Sequence, residues 1–237
     1  SASIGLGQFA HALRRGVNMT YIVENNGVYG LTKGQFSATA DKGTASKKGT
    51  INNSSHVDLV SLALQLGSTF VARSFSGDKK QLIPILKAAI AHQGAALVDV
   101  ISPCVAFNNH SGSTKSYDFV REHNVAVNKL DFITAKKPMA VSYKEGSSHS
   151  VISHDGTTFK LRKIKREHNP QDRISAISNL EYYSSRGEIL TGLIFENPDG
   201  AELHQHLNTV DTPLNSLTEK ELCPGSSILE EINRGLR

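Results

Sequence analysis

Tryptophan is absent from the 237-residue chain, cysteine and methionine occur twice each, and aromatic residues make up only 6%. Cys104 and Cys223 lie too far apart in the sequence to suggest a disulfide framework, which suits a reducing compartment and points to a cytoplasmic protein. No run approaches the roughly 18 apolar residues of a membrane helix, and no basic-then-apolar leader is present, so no membrane partner is expected. A large excess of one charge is lacking too: 26 Lys plus Arg face 22 Asp plus Glu, a formal +4. Without a polybasic stretch or an aromatic stacking platform, nucleic acid is not an expected partner either. The absence of Gly-x-Ser-x-Gly and His-Glu-x-x-His removes the best sequence signs of a serine hydrolase or a zinc protease.

What is present is 38% apolar residues, enough to bury a core as one large domain or two small ones. Ile4, Leu6, Phe9, Ala10 and Leu13 recur at helical spacing and stop at Arg14-Arg15-Gly16, which predicts a helix over 4–15. A strand follows over 19–23, ending on Asn25-Asn26-Gly27, then a helix over 57–66 that is apolar almost all round and should be buried. Next come a strand over 69–75, a helix over 81–92 with Pro84 near its first turn, and the nearly continuous apolar strand 95–101. Strand and helix alternate, so the expected fold is α/β: a parallel sheet with helices on both faces and right-handed crossovers. Beyond about Tyr117 the alternation fades, Lys136-Lys137-Pro138 opens a polar stretch, and a hairpin is expected about His154-Asp155-Gly156. A helix over 173–186, a strand over 189–195 and a short helix over 227–233 complete the reading. The expected division is a principal domain, 1–120, and a C-terminal extension, 121–237, packed on it.

Chemistry in open parallel sheets collects beyond the carboxyl ends of the strands, where 25–35 and 102–110 fall. In Glu24-Asn25-Asn26-Gly27-Val28-Tyr29-Gly30-Leu31-Thr32-Lys33-Gly34-Gln35, an Asn carbonyl and a backbone carbonyl two residues on would suit a magnesium diphosphate, and glycines permit close approach. An ordinary Asn-Gly turn fits the same spacing equally well. On their own, Lys33 reads as a solvated charge, Cys104 as a small core residue, His110 as a loop histidine and the cluster Lys42, Lys47, Lys48 as solvated surface.

The loop resembles the end of the thiamine diphosphate motif in the β subunits of 2-oxoacid:ferredoxin oxidoreductases, particularly the 2-oxoglutarate type. Asp41-Lys42-Gly43, Ser46-Lys47-Lys48-Gly49, Phe70 to Asp78, Ser102-Pro103-Cys104-Val105-Ala106-Phe107-Asn108, Gly112 to Tyr117 and Ile189 to Leu193 resemble that family as well. The family's Gly-Asp-Gly signature would fall just before Ser1, so the chain is expected to be part of a longer one. The resemblance implies that the Asn26 side chain and the Val28 carbonyl bind Mg2+. Gly30 and Leu31 would line thiamine diphosphate in the 1–120 domain, and Lys33 would be a catalytic lysine facing the substrate or coenzyme A. It also implies that Cys104 gives one thiolate to a [4Fe-4S] cluster whose other cysteines precede this sequence, Ala106 standing where Thr is more usual; Cys223 has no metal role. The implied activity is oxidative decarboxylation of 2-oxoglutarate to succinyl-CoA with reduction of ferredoxin. An α subunit would complete the site, as α2β2. Pyruvate or a branched-chain 2-oxoacid as substrate, and a non-catalytic assembly module of the same fold, are the alternatives.

Overall fold

The computed structural model describes residues 2–129, 148–152, 158–163, 168–223 and 225–236; the polar stretch at Lys136-Lys137-Pro138 and the turn at His154-Asp155-Gly156 lie outside them. The chain divides into one unit ending at Leu203 and a second beginning at His204. In the first unit the order is α1 (Leu6–Arg14), β1 (Met19–Asn25), β2 (Val28–Tyr29), β3 (Gln35–Phe36), α2 (Leu59–Gln65), β4 (Phe70–Phe75), α3 (Lys79–Ala91) and β5 (Ala95–Ile101). It continues with α4 (Tyr117–His123), β6 (Asn124–Ala126), β7 (Asn128–Lys129), β8 (Ser148–Ile152), β9 (Thr158–Lys163), α5 (Arg173–Ser184) and β10 (Ile189–Glu196).

The main sheet has the order β1-β5-β4-β10-β6. As expected, β1, β5 and β4 run parallel. The strand β10, however, runs antiparallel to β4 and parallel to β6, so the sheet is mixed rather than all parallel. The strand expected over 189–195 is present as β10, and its near-continuous burial on both faces carries no mark of chain direction. Because β6 and β10 join the sheet, the boundary expected near residue 120 falls inside the first unit. A separate antiparallel sheet has the order β7-β9-β8.

Period-two alternation sorts the central strands between two cores. Ala95 and Leu97 of β5 face a cluster with Phe9 and Leu13 of α1, Leu59, Val60, Ala63 and Leu64 of α2, and Ala176 and Leu180 of α5. Ala96, Val98 and Val100 face the other way, onto Ile85 and Ala89 of α3. Helices therefore cover both faces, and α2 is as buried as its apolar girth implies. The helix α2 starts where Asp58 accepts the N–H groups of Val60 and Ser61, satisfying donors that the first turn leaves free. Helix α3 begins two residues earlier than expected, so Pro84 sits within it rather than in its first turn. The missing N–H deprives the Lys80 carbonyl, but Lys80 is exposed and water can serve it.

The second unit holds short helices: α6 (Leu203–His206), which starts at the boundary, a 3-10 turn (Leu214–Ser216), α7 (Glu219–Leu222) and α8 (Ser226–Gly235). A capping box between Thr218 and Glu221 starts α7. None of these helices buries a side chain. Among the described residues no helix is long and apolar enough to cross a membrane.

Candidate functional site

Strand β1 ends at Asn25, and its register carries Asn25 opposite Ile101, so two loops leave the sheet side by side. The first folds into the β2–β3 hairpin. Asn26 Oδ1 accepts the Val28 N–H at 3.1 Å, closing an Asx turn. Gly27 takes φ +72°, and its carbonyl accepts the Ser37 N–H at 2.9 Å. That bond makes Val28–Phe36 the pair that exchanges no ladder hydrogen bonds, so the Val28 carbonyl faces away from β3. Asn26 Oδ1 keeps a second lone pair. One amide oxygen and one main-chain oxygen, two residues apart, are therefore both available, and this donor set would fit a hard magnesium ion beside a diphosphate.

The hairpin turn brings Gly30, Leu31 and Lys33 together at its tip. The Lys33 and Gly34 N–H groups bond to the Gly30 and Tyr29 carbonyls at 3.1 and 2.9 Å. Lys33 itself takes φ +71° and is exposed, and Leu31 is 98% exposed. An apolar side chain so placed buries nothing within this chain; it is free to cover a ligand or a partner.

The second loop carries Cys104, half-buried, whose carbonyl accepts the N–H groups of Phe107 and Asn108 at 3.2 and 2.7 Å. The two loops pack together: a Cβ on Gly34 would lie 3.0 Å from Phe107 Cβ, and the Lys47 ammonium donates to the Ala106 carbonyl at 3.2 Å. A [4Fe-4S] cluster needs four ligands. Cys104 offers one, Cys223 lies in the other unit, and among the described residues no three His, Cys, Asp or Glu are grouped to hold a metal. The residues present therefore do not fit a complete cluster.

A cavity of about 270 Å3 opens beside the carboxyl ends of β1, β4 and β5, lined in part by Asn25, Asp41, Asp58, Arg73, Asp99 and Lys115. Arg73 and Asp99 are cross-strand partners on the α2 face, and Arg73 Nε donates to Asp99 Oδ2 at 2.9 Å. The same guanidinium bonds the α2 cap, Asp58, and Asn25 Nδ2 donates to the other Asp99 oxygen at 3.1 Å. This fixes the Asn25 amide, since a flip would set two oxygens face to face. Among the described residues the buried Asn25 Oδ1 has no hydrogen-bond partner. Lys115 Nζ and Thr114 Oγ1 donate to Asp41 Oδ2 at 2.8 and 2.6 Å. Sequence reasoning assigned no role to Asn25, Asp41, Asp58, Arg73, Asp99 or Lys115. The available signal was opposite charge on the same face of two apolar strands, Arg73 and Asp99.

These contacts set the acid response. Burial alone would raise Asp41 and Asp58, but Lys115 and Arg73 respectively, with hydrogen bonds to each carboxylate, outweigh it and hold both below the ordinary 3.8. Burial lowers His92 and His168 from 6.5. In each case the unfolded chain takes up protons first, so stability falls as pH drops below about 6.5 through the histidines and again below 3.8 through the aspartates. Glu196, raised by burial, acts with the opposite sign and recovers stability as it is protonated. Melting temperatures of the chain should fall between pH 7 and pH 5, and the fall should shrink in a His92→Asn/His168→Asn double variant. Equal slopes would disprove the histidine contribution.

Comparison with known proteins follows the same residues. Residues 1–100 match the family described as thiamine pyrophosphate enzyme, C-terminal TPP binding domain. A 2-oxoacid:ferredoxin oxidoreductase subunit beta from Saccharolobus solfataricus is 46% identical over 131 residues, 54% of this chain and 40% of the relative. The 2-oxoglutarate oxidoreductase subunit KorB of Mycobacterium tuberculosis is 44% identical over 110 residues, 46% of this chain and 30% of that protein. The chain thus spans less than half the length of these relatives. A solved 2-oxoglutarate:ferredoxin oxidoreductase from Magnetococcus marinus, with 2-oxoglutarate, coenzyme A and succinyl-CoA bound, superposes with a TM-score of 0.66 at 24% identity, covering 98% of this chain and 64% of that one; it shows the fold. Residues 1–100 are thus similar to the thiamine pyrophosphate enzyme C-terminal domain, and the relatives the chain resembles include 2-oxoacid:ferredoxin oxidoreductase β subunits.

Proposed function

We propose that the chain is the thiamine diphosphate-binding part of a cytoplasmic 2-oxoacid:ferredoxin oxidoreductase β subunit that works with an α subunit, as α2β2. The reaction takes 2-oxoglutarate, coenzyme A and two oxidised ferredoxins to succinyl-CoA, carbon dioxide, a proton and two reduced ferredoxins. The observation that carries this reading is the pair of oxygens, Asn26 Oδ1 and the Val28 carbonyl, presented by one tight loop where β1 ends. The name of the KorB relative supports 2-oxoglutarate as substrate.

In this reading Asn26 Oδ1 and the Val28 carbonyl hold Mg2+, which neutralises the diphosphate. Thiamine diphosphate, when bound, supplies the carbanion-stabilising centre that decarboxylation of a 2-oxoacid requires. Gly30 lets the backbone come close to it, and Leu31, exposed in the isolated chain, shields it from water. Lys33 presents its ammonium at the hairpin tip toward the carboxylate or phosphate groups of substrate or coenzyme A. Cys104 could offer at most one thiolate to a [4Fe-4S] cluster, whose other ligands are not among the described residues. The more general 2-oxoacid name of the Saccharolobus relative keeps pyruvate and branched-chain 2-oxoacids as alternative substrates, and kcat/KM across 2-oxoacids decides among them.

The test is made on the assembled complex. Asn26→Ala should weaken thiamine diphosphate binding in Mg2+ about a hundredfold, the scale of one lost charge-assisted contact, and suppress 2-oxoacid-dependent viologen reduction at limiting cofactor. Wild-type complex that neither binds the cofactor nor reduces viologen with any 2-oxoacid would instead mark a non-catalytic assembly module.

A further inference from the structure

We infer that Asn108 is a positioning residue for the cofactor loop: its amide clamps the Asn26–Gly27 peptide and so sets where Asn26 Oδ1 and the Val28 carbonyl point. The inference rests on the reading above that this loop holds magnesium diphosphate. Asn108 is buried, 2% exposed, and its Nδ2 donates to the Asn26 carbonyl at 2.8 Å from the other loop. Its own backbone N–H is fixed on the Cys104 carbonyl at 2.7 Å. The hydroxyl of the equally buried Ser113 lies 2.7 Å from Asn108 Oδ1 and 3.0 Å from its carbonyl, so the amide cannot turn over without losing a donor.

Gly27 shows how tight the clamp is. A Cβ there would come within 3.1 Å of both Asn108 Nδ2 and Lys115 Cδ, so the peptide lies directly on these two side chains. Lys115 is in turn held by Asp41. The contacts within the loop, Asn26 Oδ1 to the Val28 N–H and the Gly27 carbonyl to the Ser37 N–H, set its local shape. The bond from Asn108 ties that shape to the loop that follows β5. Without it, the Asn26 carbonyl loses its donor and the Asn26–Gly27 peptide is held only by the contacts within the loop and the packing of Lys115, a looser restraint on both proposed ligand oxygens.

The experiment measures thiamine diphosphate binding to the assembled complex by equilibrium dialysis in Mg2+, beside steady-state kinetics and the melting temperature of the cofactor-free complex. Asn108→Ala should raise the dissociation constant about tenfold, the scale of one hydrogen bond. Asn108→Asp keeps an oxygen for Ser113 and turns the donor into an acceptor facing the Asn26 carbonyl, so it should weaken binding at least as much. At saturating cofactor, kcat and the KM for the 2-oxoacid should stay within about twofold of wild type, the scale of a few tenths of a pK unit. Wild-type cofactor affinity in both Asn108 variants, with Asn26→Ala weakened, overturns the clamp and leaves the loop assignment standing. Wild-type affinity in Asn26→Ala overturns the loop assignment itself. A parallel rise in the 2-oxoacid KM together with a lowered melting temperature also overturns the clamp, because it marks general loosening.

Discussion

Arg73→Leu should cost the folded chain about 3–5 kcal/mol, a large share of the stability of an ordinary domain, because it strands two carboxylates that the guanidinium now serves. The Asp99 side chain is 1% exposed and that of Asp58 22% exposed, so water can relieve the second far better than the first. This trio is not a gain over apolar packing, since desolvation of three charged groups is costly. It is the removal of one member that is expensive. Burial would lower Arg73, yet Asp58 and Asp99 together hold its pKa raised, so the charge persists at every accessible pH. Urea unfolding at pH 7 is the measurement. An Arg73→Leu/Asp99→Leu double variant should recover a good part of the loss, because it removes the uncompensated carboxylate with its partner. Equal losses in the single and double variants would show that packing, not charge, fixes the cost. Arg73→Lys should rescue only partly, since a point charge cannot span both carboxylates as the planar fork does.

The same network reaches the candidate site. Asp99 holds the Asn25 amide, and Asn25 directly precedes Asn26, so the link from the α2 cap through Arg73 and Asp99 ends beside the proposed magnesium ligand. Asn25 lines the cavity, and among the described residues its buried Oδ1 has no hydrogen-bond donor. Stability and site geometry are thereby joined in one set of buried charges.

How much of this was legible in the sequence depended on what each residue signals locally. The strand 95–101 was readable to the residue, because seven residues buried on both faces leave an apolar run with sharp ends. The direction of β10 was not, since pairing partners are chosen by tertiary packing that no local pattern records. Helix α4 was missed because only Val120 is buried on it, too little for a period; its cap, Ser116, was the remaining clue. At the site, only the resemblance of the Asn-Asn-Gly loop points to Asn26 and Val28, whose magnesium role is a proposal, and the structure places Cys104 on the neighbouring loop. The Arg73–Asp99 pair and the Asn108 clamp join residues 26 and 82 positions apart. Such contacts depend on strand order and register, which spacing along the chain does not encode.

Phe70→Ala should be the costliest of the apolar truncations, about 3–5 kcal/mol, through lost burial and an unfilled cavity. Phe70 is 1% exposed at the start of β4 and lies in the core with Ile85 and Ala89 of α3, Ala96 and Val98 of β5, and Leu193 of β10. Helix α3 and three strands thus meet at one ring, and close packing on several sides limits how far the site can collapse. A second readout separates a cavity from global loosening. The His92 ring lies 5.5 Å from that of Phe70 and its Nε2 is 2.7 Å from Thr69 Oγ1, while burial holds its pKa below 6.5. Removing the phenyl ring should admit water beside the imidazole and move its pKa up toward the ordinary value, a change that NMR titration reads in the folded state. Phe70→Leu, which keeps most of the volume, should lose less than half as much stability and leave His92 depressed. If Phe70→Ala destabilised by under 1 kcal/mol with His92 unmoved, the core beneath α3 would have to be packed by other residues than these.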